Sequence, residues 1–141
     1  MALVEFQNNT SPYLSAENLN GNFDYLDDKI DDLKDGEWHD LSLTSAWDKY
    51  NDTFYTPSYC KRGNFVYLRG LLKRSSNLVG EEIIAVLPEG YRPSKRMIIN
   101  VLTGGNLSQR IDLYADGNIK TASNVASSDI LSFDNIGFYI D

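Results

Sequence analysis

The order of apolar and polar residues along the chain changes near Gly36. Before this glycine, apolar residues recur at alternating spacings of four and three, a heptad pattern with the leucines at d. The five heptad residues are Leu19, Phe23, Leu26, Ile30 and Leu33. Ser15 is a suitable N-cap, and Gly36 follows as a C-terminal stop signal. The pattern predicts a helix from about residue 16 to residue 35.

The apolar stripe of this helix is only the narrow a/d seam, bordered by polar residues such as Asn20 and Asp27. A seam of this width suits a partner helix, although packing against its own domain is an equally open alternative. So short a coiled coil is marginal by itself. We therefore expect the seam to meet copies of itself, held together by an oligomeric head.

After Gly36 the apolar residues follow a period of two, in short runs separated by Gly, Asn, Asp and Pro. Asp116-Gly117 predicts a tight hairpin, because glycine takes positive φ freely. The pattern predicts a mainly β head, a sandwich or jelly roll. We expect an arm or linker at 1–14, a helical stalk at 15–36 and the head at 37–141. Seven runs are predicted strands: Trp38–Leu43, Asn64–Lys73, Glu82–Leu87, Met97–Leu102, Gln109–Tyr114, Asn118–Thr121 and Ile136–Ile140.

Charge is distributed unevenly over the 141 residues. Residues 1–36 hold eight acids and two lysines, whereas the rest of the chain holds twelve acids and eleven bases. The net charge of −7 disfavours a nucleic-acid partner, which requires a dense Lys/Arg face. Since no long apolar run or basic N-terminal flank is present, we expect neither membrane insertion nor a signal peptide.

The chemistry-bearing residues are few. One cysteine, Cys60, and one histidine, His39, supply neither a disulfide nor a Cys/His metal site. The sequence contains no recognisable catalytic motif, and Cys60 has no paired base. We expect a structural or surface role for His39, no metal, no cofactor and no enzymatic activity.

Sugar binding requires aromatic rings for stacking and polar groups for hydroxyls, and aromatic residues make up 12% of this chain. The polar segment 47–55 carries four rings and predicts a loop with a binding face. Its candidate contacts are Trp47, Asp48, Tyr50 and Tyr55. Alternatively, Trp47 and Phe54 anchor the loop to the core while the tyrosines cover a subunit boundary.

A second candidate site is the alternating segment Gln109–Tyr114. If Ile111 and Leu113 point inward, then Arg110, Asp112 and Tyr114 form an outward row of cation, carboxylate and ring. Such a row can hold a polyol. On an isolated monomer it can equally be a solvated face.

Several short segments together resemble a known family: "SPYLSAENLN", "YCKRGNFVYLRGLL", "LPEGYRPSKR", "IDLYADGNI" and "FDNIGFYI". They resemble tail and baseplate proteins of phages infecting Gram-positive bacteria, and more narrowly the receptor-binding heads of lactococcal-type phages. The resemblance implies a homotrimer in which the helices form a parallel trimeric coiled coil. It also implies a jelly-roll-like head that binds host cell-wall saccharide.

The resemblance extends to individual residues. Related heads carry a His-x-Asp pair that Arg110 and Asp112 match, with Arg replacing His. A tryptophan expected about a dozen residues later is replaced by Thr121-Ala122, so Tyr114 or the 47–55 loop would have to supply a ring. We therefore expect a noncatalytic adhesin on the distal tail or baseplate of a virion, joined to other tail proteins through its N-terminal segment. A purely structural baseplate part without saccharide affinity is the alternative.

Overall fold

The computed structural model describes residues 16–33, 36–75, 82–122 and 130–141. Contacts divide the chain into two compact units, and the division falls between Asp35 and Gly36. The predicted arm at 1–14 lies outside the described residues.

The first unit contains the helix α1, Ala16–Leu33, so the predicted helix is confirmed. On its seam, Phe23 is 59% exposed and Leu26 is 43% exposed. The side chains of the other three heptad residues lie outside the described part of the chain. One a position and one d position of the seam therefore expose apolar surface.

The second unit is built from antiparallel strands around one apolar core, which confirms a mainly β head. The strands are β1 (His39–Asp40), β2 (Ser42–Leu43), β3 (Trp47–Lys49), β4 (Ser58–Arg62), β5 (Phe65–Arg69), β6 (Leu71–Arg74), β7 (Glu82–Val86), β8 (Met97–Leu102), β9 (Ser108–Leu113), β10 (Asn118–Thr121), β11 (Ile130–Ser132) and β12 (Gly137–Tyr139). A 3₁₀ turn, Gly104–Asn106, joins β8 to β9.

The strands form three sheets with the orders β1-β4-β5-β12, β2-β7-β10-β9-β8 and β11-β6-β3. Their inward faces supply a common core of fully buried side chains, among them Val66, Leu72, Ile84, Ile111, Leu113, Ile119, Leu131 and Phe133. Polar residues at alternate positions therefore lie on the outer faces. The jelly-roll arrangement stays a prediction.

Gly70 divides the predicted strand Asn64–Lys73 into two strands that belong to different sheets. Its φ is +115°, and a Cβ on this residue would lie 2.5 Å from the Cα of Pro57. Only glycine accommodates both constraints. After Gly70 the chain therefore leaves the sheet of β5 and enters the sheet of β6.

Three strands, β3, β4 and β11, were not predicted. β3 begins with a buried residue, Trp47, but continues with exposed Asp48 and Lys49, so its composition resembles that of a loop. The hairpin predicted at Asp116-Gly117 is confirmed between β9 and β10. Gly117 has a φ of +91°, and its N–H donates to the carbonyl oxygen of Tyr114 at 2.9 Å.

Candidate functional site

The outer face of the five-stranded sheet carries a buried carboxylate on β9. Ile111 and Leu113 point into the core, and Asp112 lies on the opposite face, as the alternation predicts. Asp112 is nevertheless only 2% exposed, so the expected open row is corrected at this position. The reason is that two arginines cover the carboxylate.

Arg110 and Arg96 both bind Asp112. Arg110 donates through Nε to Oδ1 at 2.8 Å and through Nη2 to Oδ2 at 3.0 Å. Arg96 donates through Nε to Oδ2 at 2.8 Å, and its Nη2 bonds the same oxygen. Two guanidinium groups thereby share one carboxylate.

These residues line a small depression, the sheet hollow, of about 170 Å³. Its lining consists of Arg96, Arg110, Asp112, Tyr114, Thr121 and Ala122. Two cationic groups lie over the Tyr114 ring, Arg96 with its Cζ 4.6 Å and Lys120 with its Nζ 4.8 Å from the ring centroid. Thr121 and Ala122, which replace the expected tryptophan, thus line the same hollow as Arg110 and Asp112.

The charges of the sheet hollow do not cancel. Hydrogen bonds from Arg110 lower the pKa of Asp112; burial opposes this lowering, and the bonds from Arg96 add to it. The hydrogen bonds to Asp112 in turn raise the pKa of both arginines. One ionised carboxylate therefore faces two guanidinium groups, each about half exposed. Their remaining N–H donors can bind hydroxyl or phosphate oxygens beside the Tyr114 ring.

The 47–55 segment is divided between the core and the surface. Trp47 is 4% exposed, and its Nε1 donates to Glu82 Oε2 at 3.4 Å. Its ring is packed in the core and cannot stack on a ligand, which corrects its expected role. Asp48, Tyr50 and Tyr55 are exposed, as is Phe54, so Phe54 does not anchor the loop in the core.

An arginine holds the exposed end of this loop. The Arg69 guanidinium lies between two rings, with its Cζ 3.9 Å from the centroid of Trp38 and 4.0 Å from that of Tyr55. Beside them is a second depression, the loop hollow, of about 510 Å³. Its lining consists of Asp52, Thr53, Phe54, Tyr55 and Asp134.

Sequence reasoning did not find Arg96 or Arg69. Arg96 precedes β8, where Ile98 pairs directly with Asp112, and only this strand pairing brings it to the carboxylate. Arg69 belongs to a predicted strand, but its two ring partners are distant in sequence. Alternation along one strand shows which residues share a face of the sheet. It does not show which side chains from other parts of the chain contact that face.

Two further residues were considered in the sequence for their chemistry, His39 and Cys60. His39 is exposed beside Tyr59, with ring centroids 5.5 Å apart, and Cys60 is buried. Among the described residues, no group of three or more His, Cys, Asp or Glu side chains is arranged to hold a metal ion. Within the same residues, no helix combines the length and apolar character required to cross a membrane.

Comparison with solved structures finds similar folds. The chain is similar to the receptor-binding protein gp15 of Listeria phage PSA, known from a crystal structure, with a TM-score of 0.60 and 15% sequence identity. The match covers 92% of this chain and 82% of the phage protein. No protein-family profile matches the sequence, and no curated protein sequence matches it. At this identity the likeness establishes a shared fold.

Proposed function

We propose that this chain is a noncatalytic receptor-binding protein of a phage tail or baseplate, which attaches the virion to saccharide on the host cell wall. The observation that carries the proposal is the fold, shared over 92% of the chain with a phage receptor-binding protein. The separate resemblance of short segments to lactococcal-type heads favours the same function. The proposal includes the jelly-roll-like head and the distal tail location.

The sheet hollow is the proposed contact site. Arg96 and Arg110 keep N–H donors for the ligand while Asp112 fixes the planes of their guanidinium groups. The Tyr114 ring, over which Arg96 and Lys120 lie, positions these cationic groups at the edge of the ligand. Because the ion pairs position these donors before binding, less conformational entropy is lost when the sugar is bound.

The exposed seam of α1 supports the trimeric part of the proposal. Phe23 and Leu26 would be removed from water if three copies formed a parallel coiled coil. A shallow polar site of this kind binds a sugar weakly. Three sites on one trimer, and several trimers on one tail, raise the effective concentration of the unbound sites and give firm attachment.

Binding to isolated cell walls tests the adhesin function. We expect the protein to be retained on walls from a panel of Gram-positive bacteria that includes its host. Arg110→Ala should weaken retention by about 10- to 100-fold, because charge-assisted hydrogen bonds are lost. Lys73→Ala removes an exposed cation from a different sheet and is the matched control. A protein that binds no wall in the panel would instead be a structural tail component.

Solution mass tests the assembly. Light scattering should give about three times 15.9 kDa for the native chain. Replacing both Phe23 and Leu26 by Ser should convert the trimer to monomer, whereas Asp27→Ser, outside the seam, should leave it intact. A native monomer would contradict the proposed coiled coil.

A further inference from the structure

A third depression lies next to the loop hollow. It has a volume of about 320 Å³ and is lined by Phe65, Tyr67, Asp134, Asn135, Ile136 and Gly137. Asp134 lines both depressions. We propose that the two form one aromatic trough, defined by Phe54, Tyr55, Asp134, Phe65 and Tyr67, which binds a neutral oligosaccharide of at least two pyranose rings. The inference takes its ligand class from the proposed function, but its site is separate from the sheet hollow.

Asp134 is the fixed polar group at the junction of the two depressions. Its Oδ1 accepts a hydrogen bond from the N–H of Gly70 at 2.7 Å. The Gly70 carbonyl oxygen in turn accepts from the N–H of Phe133 at 2.9 Å. An ionised carboxylate has about four acceptor positions, and Gly70 occupies one of them. The carboxylate is therefore positioned by the backbone and retains acceptor capacity for sugar hydroxyls.

The rings at the loop end are positioned before any ligand arrives. Tyr55 is 63% exposed, yet Arg69 stacks on it. Phe54 packs edge-to-face against Tyr50 with centroids 5.7 Å apart. These contacts leave exposed ring surface and limit its motion, which favours stacking on a sugar at low entropic cost.

The rings at the sheet end, Phe65 and Tyr67, lie next to Gly137. A Cβ on Gly137 would lie 2.6 Å from the Phe65 ring, so this ring covers the glycine on the edge strand β12. Tyr67 pairs with Gly137 across the strands, and its ring centroid lies 4.5 Å from that of Phe65. The trough therefore has a preformed aromatic surface on each side of Asp134.

The charges of the lining favour a neutral ligand. Its two acidic residues are Asp52 and Asp134, and none of the described residues that line it is a cation. Lys49 lies outside the lining and pairs with Asp52, Nζ to Oδ1, at 2.5 Å. Carboxylates repel phosphate or uronate groups and accept hydrogen bonds from uncharged hydroxyls. Two arginines contact rings of the trough from outside its lining: Arg69 stacks on Tyr55, and Arg62 lies with its Cζ 5.8 Å from the centroid of the Tyr67 ring. Together with Lys49 they offset the charges of the two carboxylates, which also favours an uncharged ligand.

The size of the trough favours more than one sugar ring. Ligand pockets commonly measure about 300–1,000 Å³, and each of the two depressions reaches this range by itself. The sheet hollow, at about 170 Å³, does not. Two ring surfaces on opposite sides of one carboxylate match successive pyranoses of a chain.

Titration of the full-length chain with triacetylchitotriose, followed by amide NMR shifts, tests the inference. We expect shifts at 52–55 and 134–137, and about a tenfold loss of affinity in Tyr55→Ala. Tyr139→Ala is the matched control. This exposed ring has its centroid 4.7 Å from that of Phe65, but it does not line the trough. Arg110→Ala should bind the trisaccharide unchanged, which separates this site from the sheet hollow.

Asp134→Asn tests the preference for a neutral ligand. The amide oxygen can still accept from Gly70, but the charged acceptor offered to the sugar hydroxyls is lost, so the affinity for triacetylchitotriose should fall by about three- to tenfold. The inference is overturned by an absence of shifts up to about 10 mM ligand, by shifts centred on the sheet hollow, or by equal affinity of Tyr55→Ala and native protein. Tighter binding of deacetylated chitotriose that Asp134→Asn abolishes would also overturn it, in favour of a cationic ligand.

Discussion

The sheet hollow and the aromatic trough position their contact groups in opposite ways. In the sheet hollow a buried carboxylate holds two arginines that remain half exposed. In the trough a stacked arginine holds Tyr55, which remains exposed. The first region thus presents N–H donors, and the second presents rings and carboxylate acceptors. We therefore propose that the two surfaces of one head contact different parts of a glycan.

The two regions are also built from different elements of secondary structure. The sheet hollow is formed mainly by neighbouring strands β8, β9 and β10, whose ladder fixes each side chain. The trough is formed by two loops together with β5 and the edge strand β12, and Asp134 of one loop accepts a hydrogen bond from the N–H of Gly70. We therefore expect backbone changes to affect the trough and charge changes to affect the hollow.

The largest expected effect is that of Gly70→Ala. A side chain at φ +115° that also collides with Pro57 should destabilise the head by about 3 kcal/mol, measured by urea unfolding. Gly90→Ala is the matched control, because Gly90 has a φ of +87° and no atom near its would-be Cβ. It should cost only about 1 kcal/mol. Equal costs would show that the contact with Pro57 is unimportant.

Arg69→Ala should have an intermediate effect that is confined to the trough. Losing the guanidinium between Trp38 and Tyr55 should cost about 1 kcal/mol of stability and several-fold in trisaccharide affinity. Cell-wall retention through the sheet hollow should not change. Arg96→Ala is the counterpart and should weaken wall retention alone. An effect of either variant on the other region would contradict their independence.

The smallest expected effect is a difference in acid stability. Because the pKa of Asp112 is lowered in the folded head, its ionised form stabilises the fold above the unfolded pKa of about 3.9. That contribution is lost as pH falls from this value through the folded pKa. Unfolding measured between about pH 6 and 2 should therefore be less pH-dependent in Asp112→Asn than in the native head. Arg110→Ala should show part of the same change, and unaltered profiles in both variants would contradict the assignment.

Regular alternation made part of the fold predictable. β8 and β10 have the predicted bounds, and β9 differs by one residue at each end. Apolar and polar residues alternate in β9 and β10, and β8 is a short apolar run that ends before the turn at Gly104-Gly105. The division at Gly70 was not predictable, since it depends on contact with Pro57. β3 was missed because its one core residue, Trp47, is followed by two charged residues.

Alternation also made part of the candidate site predictable. Alternation placed Arg110, Asp112 and Tyr114 on one face, and the structure brings all three to the sheet hollow. It could not show that Asp112 is covered, because the second covering group, Arg96, lies just before the neighbouring strand β8. The Trp47 ring was assigned to a ligand because segment 47–55 is polar, whereas its neighbours in space are apolar. Pairing across strands is the information that a single sequence lacks.

The strand break at Gly70 has a consequence for how the head melts. β5 pairs with β4 and β12, whereas β6, which follows Gly70 at once, pairs with β3 and β11. One short piece of chain thus belongs to two sheets, and neither sheet can detach without displacing the other. We expect the β unit to lose its structure in a single cooperative transition, with no intermediate that retains one of these sheets alone.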